Sequence, residues 1–117
     1  MSTPYFPIFP IHKVDDPLEK DIEAAVKAYA SSKGIYCRKF SSPNHISVPD
    51  DIFIYSGNVF FVEFKRKGKL PTPAQSREHT RIREQGIKVY VIDNVADGRK
   101  LIDDVIEEER FFRADDR

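Results

Sequence analysis

Residues 48–65 read VPDDIFIYSGNVFFVEFK. Two apolar runs, DIFIY and NVFFVEFK, flank Ser56-Gly57, the signature of a β-hairpin closed by a tight turn. Carboxylates and a lysine stand at the open ends of the pair, away from that turn. Successive side chains of a strand alternate faces, so Glu63 and Lys65 share one face while Val62 and Phe64 take the other. With a two-residue turn Tyr55 pairs with Asn58, and counting back along both strands brings Asp50 opposite Glu63. A three-residue turn shifts the pairing by one and brings Asp51 there instead. With the two-residue turn Asp50, Glu63 and Lys65 gather at one edge of a sheet; the sequence leaves open which aspartate turns inward, and Asp51, as the extra acid, is expected to face solvent.

Carboxylates held a few ångströms apart repel unless something compensates, and a hard divalent cation does so naturally. A lysine two residues past the glutamate can orient or deprotonate an attacking water, or stabilise charge developing on a phosphate. The set suits phosphodiester hydrolysis. Its competing structural reading is an ordinary Glu63–Lys65 ion pair on an exposed strand.

Working outward, residues 1–14 form an arm in which Pro4, Pro7 and Pro10 alternate with Tyr5, Phe6, Ile8, Phe9 and Ile11. Proline removes a donor and restricts φ, so the arm is neither a helix interior nor a central strand. Its aromatics suit packing on this subunit or a neighbour. A helix follows, capped by Asp15 or Asp16, with Pro17 at its first position and Gly34 at its end. Leu18, Ile22, Ala25, Val26 and Tyr29 give it one apolar face. Residues 35–40 (IYCRKF) read as a strand and 41–47 as a loop. Thr72 caps a second helix, Pro73 opens it and Gly86 closes it. Residues 87–93 (IKVYVID) read as a strand buried on both faces. A last helix from about Ala96 to Glu109 precedes a charged tail. This order predicts an α/β sandwich around a mixed sheet. Strand 35–40 should pair antiparallel with the hairpin, and strand 87–93, arriving through a helical crossover, parallel to its neighbour.

The chain has 117 residues, which suits one domain. It divides into the arm (1–14), a folded domain (15–110) and the tail (111–117). No apolar run approaches the about 20 residues of a membrane span. The arm is apolar but Pro-broken and lacks a basic leader, so it makes a poor signal peptide. The lone cysteine, Cys37, lies in a strand and reads as a buried thiol, consistent with a reducing cytoplasm. His12, His45 and His79 are far apart and give no zinc site. Net charge is zero, yet residues 65–88 carry eight basic side chains against two acidic ones, the acids collecting in 15–23 and 103–109. A neutral total therefore hides a basic middle. Phe60, Phe61 and Phe64 read as core.

Pro49-Asp50 followed by Glu63-Phe64-Lys65 resembles the PD-(D/E)XK nuclease motif. Several further stretches are similar to the VRR-NUC branch found in compact phage-type nucleases. They are Glu19-Lys20-Asp21-Ile22 at the first helix, Val48-Pro49-Asp50, Phe61–Lys65, Leu70–Gln75, and Gly86–Ile92 after the second helix. The resemblance spans roughly residues 18 to 102. Val48 stands where the family often has glycine.

The resemblance implies a restriction-endonuclease-like α-β-β-β-α-β core and a DNA endonuclease active in bacterial or phage-infected cytoplasm. It implies that Asp50 and Glu63 bind Mg²⁺ or Mn²⁺, with Lys65 beside the attacked phosphate and Gln75 near the same site. Glu19 matches the family's helix glutamate and is a third candidate metal contact; Glu23, one turn on, is the other option. Arg66, Lys67, Lys69 and Arg77 follow the site where a DNA backbone would pass, and Arg38 and Lys39 are further phosphate candidates. A homodimer acting on branched DNA such as a four-way junction is expected by analogy, without a membrane partner or small-molecule cofactor. The alternatives are a nuclease for flaps, ends or duplex, a non-catalytic DNA-binding module, and a small interaction protein with incidental hairpin charges.

Overall fold

The hairpin turn sets the register of the whole sheet. Ser56 (φ 52°) and Gly57 (φ 87°) both take left-handed backbone, the conformation of a two-residue I′ turn whose twist matches the flanking strands. Tyr55 therefore pairs with Asn58, and Asp51 with Val62. Ser56 is strained there as a non-glycine residue. Its hydroxyl donates to Glu109 Oε2 (2.9 Å) and accepts from Arg113 Nη2 (2.8 Å), tying the turn to the last helix.

The computed structural model describes residues 17–115. In chain order the elements are α1 (Glu19–Ser32), β1 (Tyr36–Lys39), β2 (Asp51–Tyr55), β3 (Asn58–Phe64), α2 (Pro73–Glu84), β4 (Lys88–Ile92) and α3 (Val95–Asp115). The strands lie side by side in the order β1-β2-β3-β4. β1, β2 and β3 are mutually antiparallel, and β4 runs parallel to β3 after the α2 crossover. This is the α/β architecture with a mixed sheet that the residue pattern predicts.

One face of the sheet carries Cys37, Phe53, Phe60, Val62, Phe64 and Ile92. It packs on Ile22, Val26 and Ala30 of α1 and on Ile102 and Val105 of α3, with most of these side chains wholly removed from water. Phe53 and Phe60 stack with centroids 5.1 Å apart. Each such side chain contributes about 1.5–3 kcal/mol by burial, so this layer is the core. α1 and α3 approach closely at Gly98, where an added Cβ would lie 2.3 Å from Val26 Cγ2. Glycine is required there by space rather than by backbone conformation.

The opposite face carries Phe61, Glu63 and Val89. It is covered by α2, whose Arg83 donates to Val89 O at 2.6 Å. One helix does not cover four strands, and the consequences differ from the sequence expectation. Tyr36 and Val91 remain exposed, so β4 is an edge strand open on one face. Phe61 is only half-buried, on the Glu63 face, and is not part of the core with Phe60 and Phe64.

Two helix boundaries also differ. α1 begins at Glu19, with Leu18 at the N-cap and no side-chain cap; the proposed caps Asp15 and Asp16 lie outside the described residues, as does the arm. α3 continues past Glu109 to Asp115, with an Arg113–Glu109 ion pair one turn apart that a reading of charge alone takes for a tail.

Candidate active site

Asp50 sits one residue before β2 and is anchored from both sides. Phe40 N–H donates to its backbone carbonyl (2.8 Å), extending the β1–β2 ladder. Phe64 N–H donates to its Oδ2 (2.7 Å), so the carboxylate itself continues the pairing with β3. The preceding Pro49 is buried and cannot compete as a donor. Asp50 thus reaches the position opposite Glu63 that the two-residue turn requires.

Glu63 is 2 % exposed. Its Oε2 accepts from Gln75 Nε2 at 3.4 Å and lies 3.8 Å from Lys65 Nζ. Its Oε1 has no hydrogen-bond partner among the described residues and faces His79 Nε2 at 3.5 Å. Burial, then the charge of Asp50, pushes the Glu63 carboxyl up to about 8, helped by a hydrogen bond shared with Asp50 and by the charge of Glu19, and opposed by Lys65. At neutral pH Glu63 keeps a proton where a cation could neutralise the edge instead.

Gln75 is oriented by the start of α2. Thr72 Oγ1 accepts from Gln75 N–H (3.1 Å) while Gln75 Oε1 accepts from Thr72 N–H (2.9 Å), a reciprocal capping box. Spending its oxygen on the cap leaves only the amide nitrogen to face Glu63. His79, one turn further along α2, is 1 % exposed; burial, with Arg83 and Lys65 nearby, holds its pKa below the ordinary value. The spacing of the histidines in sequence, which gives no zinc site, does not reveal this place for His79 beside Glu63. The available signal was its i,i+4 spacing from Gln75, which puts both on one helix face.

The donor set suits a hard cation: two carboxylates at one edge, one buried oxygen without a partner, and a raised carboxyl. Among the described residues no group of three or more His, Cys, Asp and Glu side chains is arranged to cage a metal ion.

No family model matches the chain. A curated phage protein, "Putative nuclease p44" of Acyrthosiphon pisum secondary endosymbiont phage 1, is 37% identical over 81 residues, covering 68% of this chain and 83% of that protein. A solved structure described as a VRR_NUC domain superposes with a TM-score of 0.68 at 32% identity, covering 73% of this chain and 94% of the other. The chain belongs to the VRR-NUC nuclease family.

Within this VRR-NUC domain the remaining candidates divide. Glu19 is near enough for its charge to act on Glu63. Glu23 points elsewhere: it pairs with Lys39 (2.8 Å) and Lys27 (4.0 Å) and lies beside Asp51. Asp51 is not solvent-facing. It is wholly buried on the core face with Lys27 Nζ 2.7 Å from its Oδ1, because alternation along β2 sends it to the side opposite Asp50. Burial, then the neighbouring Glu23 carboxyl, pushes its carboxyl up to about 7.

Of the basic residues, Lys67 and Lys69 are exposed on the loop after β3, which Asp93 pins by accepting from Gly68 N–H at 2.9 Å. Arg66 is half-buried and Arg77 is exposed on α2. Arg38 is engaged within the chain, its guanidinium 4.1 Å over the Tyr36 ring and bonded to Cys37 O, and Lys39 is engaged by Glu23. Cys37 is buried, with its thiol pKa raised chiefly by burial. No helix among the described residues is long and apolar enough to cross a membrane.

Proposed function

We propose that this VRR-NUC domain is a metal-dependent DNA endonuclease hydrolysing phosphodiester bonds with Mg²⁺ or Mn²⁺ and a water nucleophile. The observation that carries the reading is half-buried Asp50 facing buried Glu63, whose Oε1 has no hydrogen-bond partner among the described residues, with Lys65 alongside. Asp50 and Glu63 would hold the ion, with Glu19 adding negative charge beside it. When bound, a divalent cation lowers the pKa of a water and neutralises charge on the phosphate.

The chain's own residues do the rest. Phe64 N–H fixes Asp50, and Gln75 fixes Glu63 through the α2 cap. Lys65, whose backbone is held to Ile92 O at 2.9 Å, presents its ammonium to the attacked phosphate and its water. Lys67, Lys69 and Arg77 supply exposed charge for the DNA backbone, with Arg66 half-buried in the same loop. Arg38 and Lys39 would join them only by exchanging their present partners.

The preferred substrate is branched DNA, cut by a homodimer with two sites, for which exposed Phe111 and Phe112 near the end of α3 offer apolar contact surface. A panel of single-stranded, duplex, flap and four-way-junction DNAs, incubated with Mg²⁺ or Mn²⁺, tests the activity, and sedimentation of the full chain tests the dimer. Asp50→Asn should abolish cleavage while leaving the fold and DNA binding intact. Cleavage by that variant at the wild-type rate would refute the mechanism.

A further inference from the structure

Beside the Asp50–Glu63 edge, the loop 41–49 and α2 enclose a groove with no part in holding either carboxylate. Its floor is apolar, built from Phe40, Val48, Phe61 and Ile82, around a cavity of about 530 Å³. Phe40 and Phe61 meet edge to face with centroids 4.9 Å apart. A second cavity of about 290 Å³ continues from it past Ile46, Ala74 and Arg77, and the two share His45, Glu78 and Arg81. The groove is joined to the site through the chain itself. Val48 precedes Asp50 by two residues, and Ala74 and Glu78 directly precede Gln75 and His79.

Ile46 stands at the groove, 98 % exposed. A lone exposed aliphatic residue is ordinary on a protein surface. This one borders an aromatic-floored groove with Arg77 and Arg81 in the same wall, next to a nuclease site. Apolar side chains that enter DNA between base steps unstack them, and aromatic floors hold the bases so freed. Glu78, paired with Arg81 at 3.2 Å, adds a carboxylate acceptor suited to a base amino group.

We propose that this groove receives one unpaired DNA base next to the scissile phosphate, with Ile46 acting as the wedge that prevents restacking. Arg77 and Arg81 face the phosphates on either side of that base. The inference rests on the nuclease reading and adds a substrate class to it: DNA with an unpaired or readily extruded base at the cut.

The test uses the full chain and one duplex whose cleavage position has been mapped. A single 2-aminopurine is placed beside the scissile phosphate, either unpaired or paired, and an abasic analogue of the unpaired form completes the set. Binding is measured with Ca²⁺ and cleavage with Mg²⁺. The unpaired 2-aminopurine should brighten on binding as it leaves its neighbouring bases, and the abasic substrate should be bound and cut at least about ten-fold less well. In Ile82→Trp, which fills the floor, and in Ile46→Ala, whose side chain touches no core, the ratio between intact and abasic substrates should fall toward one. Equal handling of the three substrates by the wild-type chain overturns the proposal, as does a preference unchanged in both variants. Absence of binding and cleavage with every DNA refutes the nuclease reading itself, whereas cleavage without base dependence refutes only the groove assignment.

Discussion

Glu63→Gln should make the metal-free protein more stable at pH 8 and change it little at pH 5. In the folded chain Glu63 titrates at about 8, against 4.5 for an unperturbed glutamate. Between those values the folded state keeps a proton that the unfolded chain has released. The stability this proton provides is complete at low pH and is lost as pH rises through the folded value. From pH 5 to pH 8 the loss is about 3 kcal/mol for this group, at about 1.4 kcal/mol per pH unit. Glutamine has the same shape and no charge, so the variant escapes the loss. Thermal melts in EDTA should show the variant about 10 °C above wild type at pH 8 and within a few degrees of it at pH 5. Adding Mg²⁺ or Mn²⁺ at pH 8 should raise the wild-type midpoint and leave the variant where it was, while only the wild type cuts DNA. A variant no more stable than wild type at pH 8, or equally stabilised at both pH values, would refute the account of Glu63 as a buried acid that keeps its proton.

Three further outcomes follow from other parts of the fold. Gly98→Val places a side chain against the buried Val26 and should cost about 1–3 kcal/mol in urea unfolding; in a Val26→Ala background the same substitution should cost less, and an unchanged cost would show that α1 and α3 do not meet there. Lys27→Met removes the cation 2.7 Å from buried Asp51 and should cost about 3 kcal/mol at pH 8. The cost should shrink at pH 5, where the raised Asp51 carboxyl is protonated, and a pH-independent loss would point to packing alone. Lys67→Ala with Lys69→Ala should lower the slope of log affinity for DNA against log salt by about 2; an unaltered slope would assign both lysines to surface charge.

The hairpin was legible because its information is local. Ser56-Gly57 between alternating apolar runs signals a tight turn; the structure makes it a two-residue one, and that register sets Asp50 rather than Asp51 opposite Glu63. The Thr72-Pro73 start of α2 was legible for the same reason, since a cap is satisfied within one helical turn. The alternation that puts Glu63 and Phe61 on one face was also available. Treating Phe61 as core failed because hydrophobicity does not reveal how much of a face a single helix covers.

Which acid is buried with a cation, and which is left without one, only the tertiary structure decided. Asp50 and Asp51 are neighbours in the chain, yet one meets Glu63 at the sheet edge and the other meets Lys27 and Glu23 beneath α1. Their difference arises because opposite faces of one strand pack against different helices. His79 joined the site, and Lys39 was drawn to Glu23, through contacts between consecutive elements that meet only when packed, β3 with α2 and α1 with β1. The sequence by itself determined the strands, the place of the turn and the acids and lysine near one edge, while the turn's length, and so the choice of Asp50 over Asp51, came with the fold. The charge environment of that edge depends on burial and on side chains arriving from other elements, and those exist only once the layers have packed.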